Sequence, residues 1–188
     1  MLFTNTYKKI LSESNFQSKS KVSEFLAFTF KVINEQKIKG YLTQLKHDYS
    51  DATQHCYAYI LHIDKNASRA NDDCEPSNTA GKPILRQIQS LDLTNVLVVV
   101  IRYFVSPMLG VPGLIEAYGE ATLGCLKVSG IIEKNTEECY QFSCDYGFEN
   151  EIYRIGKQFD LDIKPMDNEE HFCAEIKIPL LLSTSFKK

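Results

Sequence analysis

Residues 96–104 read VLVVVIRYF. Six consecutive aliphatic residues leave no polar face, which is the pattern of a central strand covered on both sides. The run is far too short to span a bilayer. Arg102 stands at its end, where a charge must find a partner or reach water. An internal pair with Asp72, Asp73 or Glu75 is the expected outcome, ahead of contact with an external anion.

Working outward, FLAFTFKVI (25–33) is aromatic and β-branched and reads as a strand. Asn34 then has the character of an N-cap. Ile38, Tyr41, Leu42 and Leu45 recur at helical spacing, so the pattern predicts a helix over 35–48. HCYAYILHI (55–63) is a second strand, with DKNASRANDD as its polar exit. Pro83 suits the first turn of a short helix running to Leu91. A longer helix follows from Gly113, and its Gly119 and Gly124 call for close packing against a neighbour. Residues 1–20, polar and rich in Ser and Lys, read as a loose lead-in, and SGIIEKNTEE after Val128 as a linker. CYQFSCDY, ENEIYRIGKQF, LDIKPM and HFCAEIKI then give strand, helix, strand, strand. Two α+β domains result, 1–130 and 137–188, the second small for an independent core.

Composition narrows the function. The 188 residues carry a formal charge of −3, which argues against a surface built mainly to grip nucleic acid but leaves room for a local basic patch. The six cysteines form no C-x-x-C pair and the four histidines are scattered, so no zinc site is expected. Reduced thiols and an N-terminus without a signal-like apolar core point to the cytoplasm. No cofactor is called for.

Residues 71–84, NDDCEPSNTAGKPI, hold most of the polar chemistry. A Walker A loop is excluded, since Pro83 follows Gly81-Lys82 and Pro76 replaces the leading glycine. Asp72, Asp73 and Glu75 are hard oxygen ligands, but their spacing falls short of a calcium loop. Carboxylates in such loops more often hold turns. A third reading is an anion or partner site, in which the backbone N–H groups of Thr79, Ala80 and Gly81 and the charge of Lys82 meet at a helix start. The residue pattern by itself gives an ordered loop. His55 reads as a hydrogen-bonded structural histidine before a catalytic base, and Cys56 beside it must face the other side of the strand. Tyr57, Tyr59 and Tyr103 suit a half-buried sheet face better than base stacking.

The blocks DATQHCYAYIL, SRANDDCEPSNTAGKPILRQIQ, LTNVLVVVIRYF and LGVPGLIEAYGEA, in this order, closely resemble the Impact/YigZ family. The likeness covers about Phe25 to Thr122 and weakens from Cys139 onward. It implies a first domain like the second domain of ribosomal protein S-five, with a left-handed β-α-β unit. It also implies a small ferredoxin-like second domain, similar to the last domains of elongation factor G. Eukaryotic members regulate translation by competing for a ribosome-associated scaffold that activates a starvation-responsive kinase; for bacterial members, nucleic-acid or ribosome binding is the usual proposal. The resemblance therefore implies a regulatory protein binding RNA, ribosome or a protein partner in a stress response. The alternative is an enzyme or anion-binding protein acting on a phosphorylated metabolite. The family's characteristic residues fall here on His55, Asp72, Asp73, Glu75, Thr79, Gly81, Lys82, Arg102 and Gly110, expected around one cleft as a partner or anion site, with no catalytic or metal role assigned.

The departures from the family pattern are specific. Cys74, Asn78, Val105 and Ser106 stand where the family has glycine, and Met108 where it often has Lys. Glycine there would allow positive φ or close approach of a ligand, so the site is expected to be altered. After HFCAEIKIPL, LLSTSFKK is too short for the helix and strand that would complete a ferredoxin-like unit. The sheet is thus expected to expose an edge through which two copies could associate.

Overall fold

A computed structural model describes residues 5–20, 23–104 and 109–186, with side chains through 183. The chain divides into two compact units, residues 7–134 and residues 135–188 together with 1–6.

The first unit is built on a five-stranded antiparallel sheet. Its strands are β2 (Ser14–Ser20), β3 (Ser23–Lys31), β4 (Gln54–Leu61), β5 (Ala67–Asn71) and β6 (Val96–Tyr103), in the order β2-β3-β6-β4-β5. The aliphatic run is the central strand, as its composition requires: Val96 to Ile101 are each 0% exposed. The sheet divides its apolar residues by alternation. Phe25, Ala27, Cys56, Ala58, Ile60, Val96, Val98 and Val100 face helices α2 (Gly81–Ser90) and α3 (Gly110–Ser129). Leu97, Val99, Ile101, Tyr59 and Leu61 face α1 (Glu35–Asp48). Asn34 caps α1 as its position suggests, its Oδ1 accepting from Lys37 N at 2.9 Å.

Gly124 is explained by close packing. A Cβ there would lie 2.3 Å from the Phe16 ring of β2. Gly119 instead faces α2, with Gln87 Nε2 at 3.5 Å from where its Cβ would be.

Three segments differ from the sequence reading. Residues 6–10 form strand β1 (Thr6–Ile10) and 14–20 form β2, so the lead-in is structured. The supposed linker contains β7 (Ile131–Asn135), which pairs with β1. The polar exit after β4 is β5. These strands share one cause: they are polar, and ladder hydrogen bonds to a neighbour hold them where no apolar face of their own could.

In the second unit, β8 (Glu137–Cys144), α4 (Glu149–Gln158), β9 (Ile163–Met166), β10 (Phe172–Pro179) and α5 (Leu180–Phe186) follow in turn, with a 3-10 turn before α4. The sheet order is β8-β10-β9, antiparallel throughout. This is a β-α-β-β-α arrangement, and the terminal LLSTSF forms a helix. Both units are α+β. Among the described residues, no helix is long and apolar enough to cross a membrane.

Candidate functional site

The loop between β5 and α2 is organised by Asp72. Its Oδ1 accepts from Ala80 N at 3.0 Å and Gly81 N at 2.8 Å, and its Oδ2 from Asn78 N at 2.9 Å. A carboxylate accepting several backbone N–H groups at a helix N-terminus is a strong arrangement, because charge-assisted bonds and the helix dipole act together. Of the three N–H groups that the sequence offered to an external anion, those of Ala80 and Gly81 therefore hold this side chain instead, and Thr79 N donates to Pro76 O at 3.1 Å. Thr79 is buried, and its hydroxyl donates to Pro76 O at 2.7 Å. Gly81 is required by contact: a Cβ would sit 2.5 Å from Asn71 N. The helix begins at Gly81 and not at Pro83, which falls in its first turn.

Glu75 and Arg102 form a buried ion pair. Arg102 Nη1 donates to Glu75 Oε1 at 2.6 Å, and both side chains are 5% exposed. Tyr118 Oη donates to the same oxygen at 2.9 Å. Cys56 Sγ lies 3.3 Å from Tyr118 Oη and donates to Asp72 O at 3.0 Å. Arg102 also donates to Ser23 Oγ at 3.4 Å, and its guanidinium lies over the Phe25 ring at 5.7 Å and over the Phe104 ring at 5.1 Å. Its Nε is buried without a partner among the described residues. Burial is the main cause that pushes the Cys56 thiol and the Tyr118 phenol up from their ordinary values. Both stay protonated near neutrality, so neither is poised as a nucleophile.

The remaining candidates separate. His55 lies on the α1 face of the sheet, away from Glu75 and Arg102, so the expected single cleft does not include its ring. The ring is buried at the end of α1 by the Leu45 and Tyr49 carbonyls, its Nε2 has no hydrogen-bond partner among the described residues, and burial holds its pKa below the usual value. Only its backbone reaches the loop, His55 N donating to Asp73 Oδ2 at 2.7 Å. Asp73 is further paired with Lys46 Nζ at 3.7 Å. Gly110 opens α3 with φ +73. Lys82 is exposed on the first turn of α2 and forms no ion pair among the described residues. Among the described residues no group of His, Cys, Asp and Glu could hold a metal ion.

Cys74 and Asn78 take positive φ, +72 and +65, as does Asp73 at +39. The loop thus keeps the left-handed backbone that glycine would permit, although side chains stand there. Val105, Ser106 and Met108 lie outside the described residues.

Sequence reasoning missed Tyr118 and Cys56 as members of the cluster. Tyr118 stands among Ala117, Gly119 and Ala121 on the buried face of α3. A buried hydroxyl in such small company needs a partner, and that was the available signal.

Residues 21–126 match the model of the Impact N-terminal domain. The chain belongs to the Impact family. It is 34% identical over 134 residues to the IMPACT family member YvyE of Bacillus subtilis, covering 69% of this chain and 62% of that protein. The chain thus spans less than two thirds of that relative's length. It is 26% identical over 161 residues to the IMPACT family member YigZ of Escherichia coli, covering 85% of this chain and 79% of that one. A solved structure described as a hypothetical protein superposes with a TM-score of 0.74 at 24% identity, over 97% of this chain and 90% of that chain. That likeness concerns the fold.

Proposed function

We propose that this Impact family chain is a regulatory binding protein of the translation machinery, acting in the cytoplasm through a partner and not through catalysis. One observation supports the reading above the others: the charged groups of the signature loop are consumed within the fold. Asp72 caps α2, Asp73 holds His55 N and Lys46, and Glu75 pairs with Arg102 and Tyr118. A hydrolase or anion-binding enzyme would need some of these groups directed at a substrate. Here they form a rigid platform from which Lys82 projects. Family membership supports the link to translation, since the resemblance implies regulation at the ribosome or an associated scaffold.

The test is co-sedimentation with ribosomes at low and high salt, using wild type and Lys82→Ala. Salt-sensitive association weakened by the substitution is expected. Failure of the wild type to associate at any salt would contradict the reading.

A further inference from the structure

Phe28 and Phe30 stand two apart on β3, so both project from the sheet toward α1. Tyr41 and Tyr49 of α1 and its end meet them there, and all four residues are only half-buried. With Gln44 and Asp48 these rings line a pocket of about 200 Å³. Phe30 and Tyr41 stack with centroids 4.1 Å apart and 21° between their planes, and Phe28 lies within 8° of parallel to Phe30 at 6.4 Å. Tyr49 closes the row, tilted 52° to Phe28 at 5.4 Å. The pocket is smaller than the ~300–1,000 Å³ usual for a small-molecule site, and it suits the head of one side chain.

Two carboxylates border the rings. Asp48 lines the pocket and is exposed; its Oδ1 lies 3.0 Å from His47 Nδ1, and its Oδ2 has no hydrogen bond among the described residues. Glu13, just before β2, accepts from the Tyr41 hydroxyl and from Lys31 N, each at 3.1 Å and both through Oε1, which leaves Oε2 available. No lysine or arginine lines the pocket. Lys31 alternates to the other face of the sheet, Lys46 pairs with Asp73, and Lys19 stands opposite Glu24 farther along β2 and β3. Lys37 is one turn before Tyr41 and eleven residues before Asp48, about 16 Å along the helix. His47 adds charge only when protonated. Helix stability does not account for Asp48, because a carboxylate in the last turn of α1 meets the negative end of the dipole.

We propose that this pocket receives an arginine side chain of a partner protein, its guanidinium stacked on the aromatic row and its N–H groups donating to Asp48 and Glu13. A cage for a rounded ammonium sets its rings around a point, whereas Phe28, Phe30 and Tyr41 lie nearly parallel and offer faces to a flat group. The guanidinium is planar, weakly hydrated and forked, so it stacks on rings while bonding carboxylates. Arg102 does this inside the same fold, over Phe25 and Phe104 with Glu75 as acceptor. A nucleobase is equally flat, but the phosphates it carries would meet two negative charges. The proposal rests on reading the chain as a binding protein and names the chemistry of one partner contact.

The experiment is an NMR titration of the full chain with N-acetyl-arginine methylamide, following the ring signals of Phe28, Phe30, Tyr41 and Tyr49. The lysine and citrulline counterparts, tetramethylammonium and AMP serve as comparisons. The arginine probe is expected to shift these rings saturably, the lysine probe to bind more weakly, and neutral citrulline, tetramethylammonium and AMP to leave them unmoved. Asp48→Asn and Glu13→Gln keep shape and remove charge, and each should weaken arginine binding about threefold or more. Phe28→Leu removes one ring face and should cost about threefold. Asp48→Asn should hold or raise the urea midpoint, so its lost binding is not lost fold. The proposal is overturned if the arginine probe moves none of the rings, if any comparison binds as tightly, or if both charge variants bind unchanged. An unmoved pocket in a chain that still co-sediments with ribosomes overturns this inference and leaves the proposed function standing. Arginine binding in a chain that never co-sediments supports the pocket and contradicts the ribosomal reading.

Discussion

Arg102 Nη1 lies 2.6 Å from Glu75 Oε1, and each side chain is 5% exposed. The pair joins the end of the central strand to the signature loop, and Tyr118 adds α3 to the same oxygen. A charge in this position cannot be removed singly without cost. Loss of Arg102 leaves a buried carboxylate uncompensated, a defect of about 3–5 kcal/mol. An Arg102→Ala variant that loses partner binding has therefore lost fold before it has lost a contact. Lys82, exposed on the same region, is the better probe of binding.

Asp72 serves three backbone N–H groups with one side chain. Asp72→Ala should cost about 2–4 kcal/mol, since two of the donors it leaves behind, Ala80 N and Gly81 N, are part-buried at a helix terminus. Urea unfolding measures this, with an unchanged slope expected. A loss below about 0.5 kcal/mol would mean that water replaces the carboxylate freely.

Gly81 has no room for a side chain, because its neighbour is the Asn71 backbone and not a movable side chain. Gly81→Ala should destabilise by about 2–4 kcal/mol despite the better helix propensity of alanine. Thermal unfolding followed by circular dichroism decides it; a raised midpoint would contradict the close contact between the helix start and β5.

Cys74 holds φ +72 with an exposed side chain. A left-handed residue with a Cβ costs about 1–2 kcal/mol, while glycine's extra chain entropy returns about 0.5–1 kcal/mol of that. Cys74→Gly is thus expected to stabilise by up to about 1 kcal/mol, and Cys74→Val to destabilise. Paired urea titrations at one pH measure both.

His55 carries a pKa held below its ordinary value of 6.5, chiefly by burial, with Asp73 opposing the shift and Lys46 adding to it. The unfolded chain therefore binds a proton that the folded chain refuses. The stability contributed by neutral His55 is full above about pH 6.5 and falls as pH drops below it. His55→Gln should flatten the stability profile between about pH 7 and pH 5 relative to wild type. A profile with the same slope would place the acid sensitivity elsewhere.

Much of this fold was legible where residues declare their burial. VLVVVIRYF had to be central, the 35–48 periodicity had one apolar face, and Asn34 had the right place to cap it. The strands that escaped notice, β1, β2, β5 and β7, are polar, and a single chain does not reveal which neighbour will complete a ladder. The site divides in the same way. An internal partner for Arg102 follows from the cost of burying a charge. That Asp72 would occupy the N-terminus of α2 depends on the turn between them, where Asn78 suits its positive φ but no propensity predicts that of Cys74. His55 was separated from the cluster by strand alternation alone, which was readable, but the α1 terminus that buries it was not.

The most direct measurement is a double-mutant cycle on the stability of Glu75→Met, Arg102→Met and the pair together. If the signature charges serve the fold, each single change should cost about 3 kcal/mol or more, and the double variant should recover much of that loss, giving a coupling of about 2 kcal/mol or more. Additive losses with coupling near zero would contradict the account, because Glu75 and Arg102 would then be held for something other than each other.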